Sequence, residues 1–394
     1  MNKKEILEIR KLFAGEGGCI HRIAGCYVDY NKEKVCTSLD AFLSLSKDEA
    51  LKYNEIFKGT LSGTIGKNIL NMEFPTNQEM PGGTQEFLNQ LRLSELKDSD
   101  ILNEFYDRII TSFQYPENYY ITLIYGVYDV PGQTSDGAEM YDASDEVYQF
   151  ILCSICPVNR SKGGLSYLPD TNEIGERVRD WIVEKPTHGF LFPAFNDRGS
   201  DIHNILYYTK NPEDRHPELI ENILGSTIPM SPVNQKETFQ SILMNTLGEE
   251  ADYEVISSIH ENLNEMIAEA KDNPDPLTLS KHEMKNLLEI SGVSGNDLEV
   301  FDHTFEEIAG PKASLVATNL TNTRKLSIET PDIVIKVNSD RTDLIQTQYI
   351  DGRQCFVIKV DDHVEINGMN VRTIKSVNHN NNERNDIEAS PEMD

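Results

Sequence analysis

The sequence predicts a multidomain α+β protein: a mixed α/β N-terminal domain over residues 1–230, a four-helix middle domain over 231–311 and a small antiparallel β module over 312–375. Three observations predict it. The first part mixes helical periodicity with apolar runs typical of buried strands, the second repeats apolar residues at helical spacing, and the third alternates them with a period of two. The composition of residues 376–394 predicts a disordered acidic tail.

The elements of the first domain follow from local patterns. A short amphipathic helix begins the chain, and strands and helices then alternate, with a polar loop between the two most apolar strands. The predicted segments are a helix over Ile6–Phe13, a strand over Ile20–Tyr30, a hairpin partner over Glu33–Thr37, a helix over Leu39–Leu70, a helical stretch over Gln85–Phe113 that is broken at Leu91–Asp98, and strands over Tyr119–Tyr128, Val147–Ile155 and Ile205–Thr209.

The middle domain and the β module have clearer boundaries. Ser231-Pro232 is typical of a helix start, and four apolar stripes separated by proline and glycine predict four helices up to Gly310. In the β module, Asp351-Gly352 and Asn367-Gly368 each predict a hairpin turn between apolar-rich strands.

Size and charge limit the class of protein. The chain has 394 residues, and its 65 acidic and 36 basic residues give a net charge of −29. Such a charge disfavours non-specific binding to nucleic acid and to an anionic membrane surface. No signal-like segment and no run near ~18–20 apolar residues occurs, so we expect a cytoplasmic protein that does not enter a membrane. Its six cysteines should then be thiols.

The polar residues that follow the apolar run Gly189–Phe195 are the principal candidate site. A strand that ends in titratable side chains can present them rigidly to a ligand. In a partly parallel sheet, ligands bind beyond the carboxyl ends of the strands, and a second strand also ends in an aspartate. The candidate catalytic residues are Asp129, Asn196, Asp197, Arg198, Asp201 and His203.

Four of these residues, Asp129, Asp197, Asp201 and His203, could share a divalent metal such as Mg²⁺, Mn²⁺ or Zn²⁺. Arg198 could then hold a phosphate or a carboxylate. The alternative is a solvated turn, in which Asn196 and Asp197 form an Asx-turn and Arg198 pairs with Asp201.

Other motifs favour structural roles. Cys153 and Cys156 form a C-x-x-C pair in an apolar strand. Cys19, His21 and Cys26 could supply the second ligand pair of a zinc site, but their spacing is irregular, and buried structural thiols are the favoured interpretation. The glycine-rich segment at 59–68 lacks two positions of a phosphate-binding loop, because Leu61 and Asn68 occupy them. His260-Glu261 starts like a zinc motif that lacks its second histidine.

An acidic segment near residue 140 fits no calcium-binding spacing and is interpreted as a solvated loop. Its members are Asp136, Glu139, Asp142, Asp145 and Glu146.

Six short blocks, spread from the N-terminal domain to the β module, carry a resemblance to a known family. They are Thr60–Asn68, Val127–Gly132, Ile151–Val158, Phe192–Arg198, Ile259–Asn264 and Ile350–Arg353. In these blocks the chain resembles the domain of unknown function 4317, a family found mainly in Firmicutes-type bacteria. The resemblance implies a bacterial cytosolic protein and no particular activity, cofactor or catalytic residue.

The sequence favours a non-catalytic binding or regulatory protein with a protein partner, because no catalytic motif is intact and the helical domain and β module could serve as interaction surfaces. One alternative is a metal-assisted hydrolase or phosphoryl-handling enzyme, which requires the four metal-ligand candidates to converge in a cleft. Another is an RNA- or ribosome-associated protein, which requires a basic face on the β module. That face would consist of Arg341, Arg353, Lys359 and Arg372.

Overall fold

The computed structural model describes residues 1–14, 18–133, 139–226, 229–248, 251–360 and 364–371, with the backbone alone for 133 and 139–145. The chain divides into two units, Met1–Thr323 and Arg324–Asp394. Helices and antiparallel strands are both abundant in the described residues, and the predicted α+β class is confirmed at that level. None of the described helices is long and apolar enough to cross a membrane.

The first ten strands lie in the first unit. Their bounds are β1 Ile20–Val28, β2 Lys34–Ala41, β3 Ile69–Glu73, β4 Tyr119–Gln133, β5 Glu139–Arg160, β6 Leu165–Leu168, β7 Glu173–Glu176, β8 Trp181–Val183, β9 His188–Phe192 and β10 Asn204–Thr209. Within the described ranges, eight of them form one sheet in the order β2-β1-β4-β5-β9-β10-β3, and β8 pairs with β5 beyond the first residue of β9. Strands β6 and β7 pair with each other.

Helices cover both faces of this sheet. The five helices are α1 Lys3–Leu12, α2 Lys47–Thr60, α3 Thr84–Leu93, α4 Ser99–Ser112 and α5 Pro217–Ile223. Helices α3, α4 and α5 pack on one face and α1 and α2 on the other, so that each face carries its own core. Phe190 and Phe192 of β9 enter the first core and Leu191 enters the second, which explains why the strand is continuously apolar.

Two segments differ from the prediction. The end of the predicted helix Leu39–Leu70 is instead the start of β3, whose alternating side chains pair antiparallel with β10. The predicted polar loop before Val147 is largely strand, because β4 and β5 continue to pair past Pro131, where register shifts accommodate the proline. Glu139 and Glu146 therefore lie in β5, while Asp136 is outside the described residues.

All strand pairings of the large sheet are antiparallel in the described residues. The ligand-binding edge expected of a partly parallel sheet is therefore not formed by these strands.

The four predicted helices of the middle region are present as α6 Pro232–Leu247, α7 Tyr253–Glu269, α8 Lys281–Ile290 and α9 Gly295–Ile308. Each begins after a capping Ser or Asp, as the sequence indicates for Ser231 and Ser280. Their core also contains Leu315 and Leu320, which belong to β12 (Leu315–Val316, paired with β11 Thr278–Leu279) and to α10 (Ala317–Leu320). Leu315 and Leu320 thus pack in the same core as the helices.

The second unit consists of three hairpins in its described part. Their strands are β13 Lys325–Glu329 with β14 Val334–Asn338, β15 Ile345–Ile350 with β16 Arg353–Ile358, and β17 Val364–Ile366 with β18 Met369–Val371. Asp351-Gly352 and Asn367-Gly368 form the turns of the last two with positive φ, as the sequence predicts. The predicted tail, residues 376–394, lies outside the described residues.

Candidate functional site

Five of the six principal candidates lie at the turn end of the β9–β10 hairpin, and three of them, Asn196, Asp201 and His203, bond to one another. The Asp201 carboxylate accepts hydrogen bonds from Asn196 Nδ2 (2.6 Å), from the His203 backbone N–H (3.0 Å) and from Asn204 Nδ2 (2.8 Å). Partial burial raises the pKa of Asp201, but these hydrogen bonds outweigh burial and hold the pKa below its ordinary value. Asp201 therefore serves as the acceptor that closes the turn.

Arg198 has a different partner from the one expected in the turn interpretation. Its guanidinium donates to the Glu8 carboxylate of α1 through Nε (3.2 Å) and Nη2 (3.0 Å), and the Tyr128 hydroxyl donates to the same carboxylate at 3.0 Å. Asp197 and Arg198 both adopt positive φ, at 51° and 58°. Arg198 thus ties the turn to α1 through a two-point ion pair.

The remaining candidates are spread over different surroundings. His203 is exposed and bonds to Glu79 Oε1 at 2.7 Å, and Asp197 is also exposed. Asp129 lies between Tyr128 and Val130, which both pack on the second core, so its side chain projects to the opposite face of the sheet. Among the described residues, the ligand atoms of Asp129, Asp197, Asp201 and His203 do not form a set within metal-binding reach.

Three other motifs have structural contacts. Cys153 and Cys156 are buried free thiols, and burial raises the pKa of both. In the glycine-rich segment, Lys67 Nζ donates to the Thr318 carbonyl at 3.3 Å, which ties this segment to the helical region. His260 of α7 bonds through Nδ1 to the Thr321 hydroxyl at 3.1 Å.

A second polar cluster lies at the opposite, open end of the same hairpin. His188 is the first residue of β9, and Asp214 and His216 lie in the loop that joins β10 to α5. One potential ligand atom from each of the three residues lies within 4.8 Å of the other two. In the part of the chain that the structure describes, this is the one group of three or more His, Cys, Asp or Glu residues that meets this criterion.

The cluster is sheltered on one side and open on the other. His188 is buried, whereas the Asp214 side chain is 53% exposed. Phe113 packs against both imidazoles, with ring centroids 5.4 Å from His188 and 4.5 Å from His216. Burial lowers the pKa of His188 to about 4 and also lowers the pKa of His216, so both rings are neutral near pH 7.

Hydrogen bonds fix the orientation of both rings. The Nε2 of His188 lies 2.9 Å from the Asp214 carbonyl, which can only accept, so this nitrogen carries the proton. The other nitrogen, Nδ1, accepts from the Thr187 hydroxyl at 3.2 Å. His216 Nε2 donates to Asp214 Oδ1 at 3.2 Å. The site thus presents two oriented neutral imidazoles beside one carboxylate.

Sequence reasoning gave His188 no role, because nothing beside it in the chain suggests activation. Its neighbours in the cluster follow more than twenty positions later, across β10. The pair Asp214 and His216, separated by one residue, was the available signal, but D-x-H alone is common on protein surfaces. Only the pairing of β9 with β10 brings the three side chains together.

The comparison with known families agrees with the resemblance seen in the sequence. The model of the family described as Domain of unknown function (DUF4317) matches residues 1–369 of the 394. The chain belongs to the DUF4317 family. A comparison with curated proteins gives no significant match.

The DUF4317 chain also carries an exposed ribbon, which we call the arm (residues 158–183). Backbone pairing runs from Val158 opposite Val183 through Ser161, whose N–H donates to the Asp180 carbonyl, to Leu168 opposite Glu173. The arm is thus a two-stranded ribbon made of the end of β5, β6, β7 and β8. Ten residue steps at ~3.3 Å give it a length of roughly 33 Å.

Large apolar side chains on the arm are in contact with solvent. Leu165 and Tyr167 alternate onto one face, and Ile174 lies directly opposite Tyr167, so these three share a face. Trp181, the only tryptophan of the chain, is 53% exposed and stacks under the Arg160 guanidinium. The exposed set is Leu165, Tyr167, Ile174, Val178, Trp181, Ile182 and Val183.

The basic residues suggested for RNA binding are dispersed in this DUF4317 protein. Arg341 pairs with Asp343, Arg353 is the first residue of β16, and Lys359 follows its last residue. Arg372 lies outside the described residues. The described part of the second unit therefore gives this alternative no clustered basic face.

Proposed function

We propose that this DUF4317 protein is a non-catalytic binding protein that holds a protein partner on its arm. The observation that carries the proposal is the exposure of seven large apolar side chains along one ribbon. Exposed apolar residues are ordinary when scattered singly, but several of them on one short ribbon, three of which share a face, are typical of a protein–protein contact.

The construction of the arm supports the same conclusion. A two-stranded ribbon is marginally stable in water on its own, because it has no layer to cover its apolar face. Covering Leu165, Tyr167 and Ile174 removes their apolar surface from water, at roughly 25 cal/mol for each Å² buried. A bound partner would supply that missing layer.

The edge of the arm favours an extended partner segment. Strand β8 pairs only with β5 among the described residues, so its other edge has backbone groups available for a further strand. Side chains on this edge, including Trp181 and Val183, are apolar and exposed. These are the features of strand addition, in which backbone hydrogen bonds give affinity and alternate side chains give specificity.

Charge favours a basic partner. The chain carries a net charge of −29, which repels acidic proteins and accelerates encounter with basic ones at low ionic strength. The proposed partner is therefore a basic protein that presents an extended apolar segment.

A site-specific photo-crosslinker at Ile174 tests the proposal in the cells that produce the protein, with the same group at the exposed Leu43 as the matched control. We expect an adduct with another protein from Ile174 and none from Leu43. The partner so identified, once purified, should shift the Trp181 emission to shorter wavelength, because it removes the indole from water. Val178→Ser in the arm should weaken its binding at least tenfold.

Two outcomes contradict the proposal. One is the absence of arm-specific adducts. The other is an adduct made only with a second copy of the chain, accompanied by a Trp181 emission that changes on simple dilution of the protein; this would make the arm a self-association surface.

A further inference from the structure

We propose that His188, Asp214 and His216 bind a divalent first-row transition metal ion, with Zn²⁺ as the representative ion. The proposal does not rest on the arm, because none of the three residues belongs to residues 158–183. The donor atoms of the three residues lie within 4.8 Å of one another. Donors at ~2.0–2.1 Å from a tetrahedral Zn²⁺ are about 3.4 Å apart, so small side-chain rotations complete the set.

The donor chemistry selects the class of ion. Two imidazoles and one carboxylate suit Zn²⁺, Co²⁺ and related ions, whereas Mg²⁺ and Ca²⁺ prefer oxygen donors alone. The ring nitrogen that binds gives up its present hydrogen bond, and the other nitrogen keeps the ring oriented.

The backbone holds His216 in a defined position. This residue adopts φ 45° and ψ 80°, a left-handed conformation that is uncommon for a side-chain-bearing residue, directly before Pro217 at the start of α5. Such conformations persist where the surrounding structure enforces them, and they are frequent at ligand sites. Here the conformation directs the imidazole toward Asp214, to which it bonds.

The electrostatic surroundings both oppose and favour a cation. Lys32 donates to the carbonyls of Phe113 and Tyr115 (3.0 and 2.7 Å), and the Phe113 ring packs against both imidazoles, so the positive charge of Lys32 lies near the site and opposes a second cation. The negative charge of Asp214 offsets this repulsion, and because its side chain is half-exposed, an ion can reach it from solvent. Three protein ligands leave one tetrahedral position for water.

The occupied site would join the loop at 210–216 to the start of β9. Because the ion binds the folded chain, saturating Zn²⁺ should raise the melting temperature of the protein. Mg²⁺ at the same concentration should not.

Titration of the tag-free, chelator-treated full chain with Co²⁺ tests the proposal. We expect one Co²⁺ per chain, the visible bands of a tetrahedral ion, no thiolate-to-metal band in the near ultraviolet, and displacement by Zn²⁺. Asp214→Asn and His216→Asn should each weaken binding more than about 100-fold, since loss of a ligand exceeds the effect of losing a second-shell contact. Asparagine tolerates the left-handed backbone at 216.

The matched controls come from the turn end of the hairpin and from an exposed thiol. Asp197→Asn, His203→Asn and Cys36→Ser should bind Co²⁺ like the parent protein. His188 is buried and its replacement endangers the fold, so the two more accessible ligands carry the test, with circular dichroism to verify folding. Absence of stoichiometric binding overturns the proposal. So does binding that survives Asp214→Asn and His216→Asn or is lost in any control.

Discussion

At its turn end, the β9–β10 hairpin places Asn196, Asp201 and His203 within one short stretch of chain, and Asp201 accepts hydrogen bonds from that stretch. At its open end, His188 and His216 come from different segments, and both place a ring nitrogen near the Asp214 carboxylate. Both ends are polar, and both stand on the same buried strands. The two ends differ in how far apart in the sequence their interacting side chains lie: within eight residues at the turn end, and more than twenty residues between His188 and the other two at the open end.

The difference shows that polar clusters formed within a turn and polar clusters formed by distant segments have different capacities to bind a ligand. Side chains a few residues apart satisfy one another as soon as the turn forms, and a carboxylate with three donors has little capacity left for a ligand. Side chains from separate segments meet only after the sheet has formed, and they are held by packing, as His188 and His216 are by Phe113. A ligand site is therefore better sought at the open end.

The largest expected effect is a loss of stability in β9, the strand that carries both ends of the hairpin. Phe192 lies fully buried in the first core, at the end of β9. Phe192→Ala should lower the free energy of unfolding by about 3–5 kcal/mol, because it removes a buried ring and leaves a cavity. Urea unfolding followed by circular dichroism measures it. The half-exposed Phe356 of the second unit is the control, and an equal loss for Phe356→Ala would contradict the difference in burial.

The next effect separates the two ends. Asp201→Ala should cost about 1–2 kcal/mol of unfolding free energy, because it leaves the donors of Asn196, Asn204 and the His203 backbone without their acceptor. In metal-free protein, the corresponding Asp214→Ala should cost less than about 0.5 kcal/mol, since that side chain is mostly exposed. Equal costs at the two ends would contradict the contrast drawn between them.

A pH series sharpens the same contrast. The hydrogen bonds hold the pKa of Asp201 below its value in the unfolded chain, which is about 3.9. The unfolded chain then binds more protons between the two pKa values. The stability contributed by Asp201 is present above the unfolded pKa and is lost as pH falls through the folded pKa. Asp201→Asn should therefore show a shallower loss of stability below about pH 4 than the parent protein.

The smallest effect concerns the link from the turn to α1. Arg198→Met should cost about 1 kcal/mol or less, because the Glu8 pair is two-pointed but about one-fifth exposed on each side. A double-mutant cycle with Glu8→Gln should give a coupling energy of about 0.5–1 kcal/mol. A coupling near zero would mean that Arg198 acts through packing alone.

The sequence predicts what is determined locally. The caps at Ser231 and Ser280 and the Asp351-Gly352 and Asn367-Gly368 turns are present, because short-range hydrogen bonds and backbone preferences suffice to form them. Strand β3 was missed, since five residues after a helix carry too little pattern and its pairing with β10 is set by tertiary structure.

The candidate sites divide in the same way. The polar segment after Phe195 was predicted as a turn or a metal site, and its contacts are those of a turn, with Glu8 in place of Asp201 as the partner of Arg198. The partner could not be foreseen because it comes from α1, far away in sequence. The exposure of the arm was equally hidden, since Leu165, Tyr167 and Ile174 have the alternation of a covered strand.

The pairing of β3 with β10 also has a consequence for synthesis on the ribosome. Ile69 pairs with Tyr208, which the ribosome adds roughly 140 residues later. At ~5–20 residues per second this delay is roughly 7–28 s. Among the described strands β10 alone pairs with β3, so until then β3 lacks this partner and the core around Leu70 and Met72 is incomplete. For several seconds the nascent chain therefore exposes the unpaired backbone groups and apolar side chains of β3, which favour aggregation. A holding chaperone should increase the yield of folded protein most when it acts before residue 208 emerges from the ribosome.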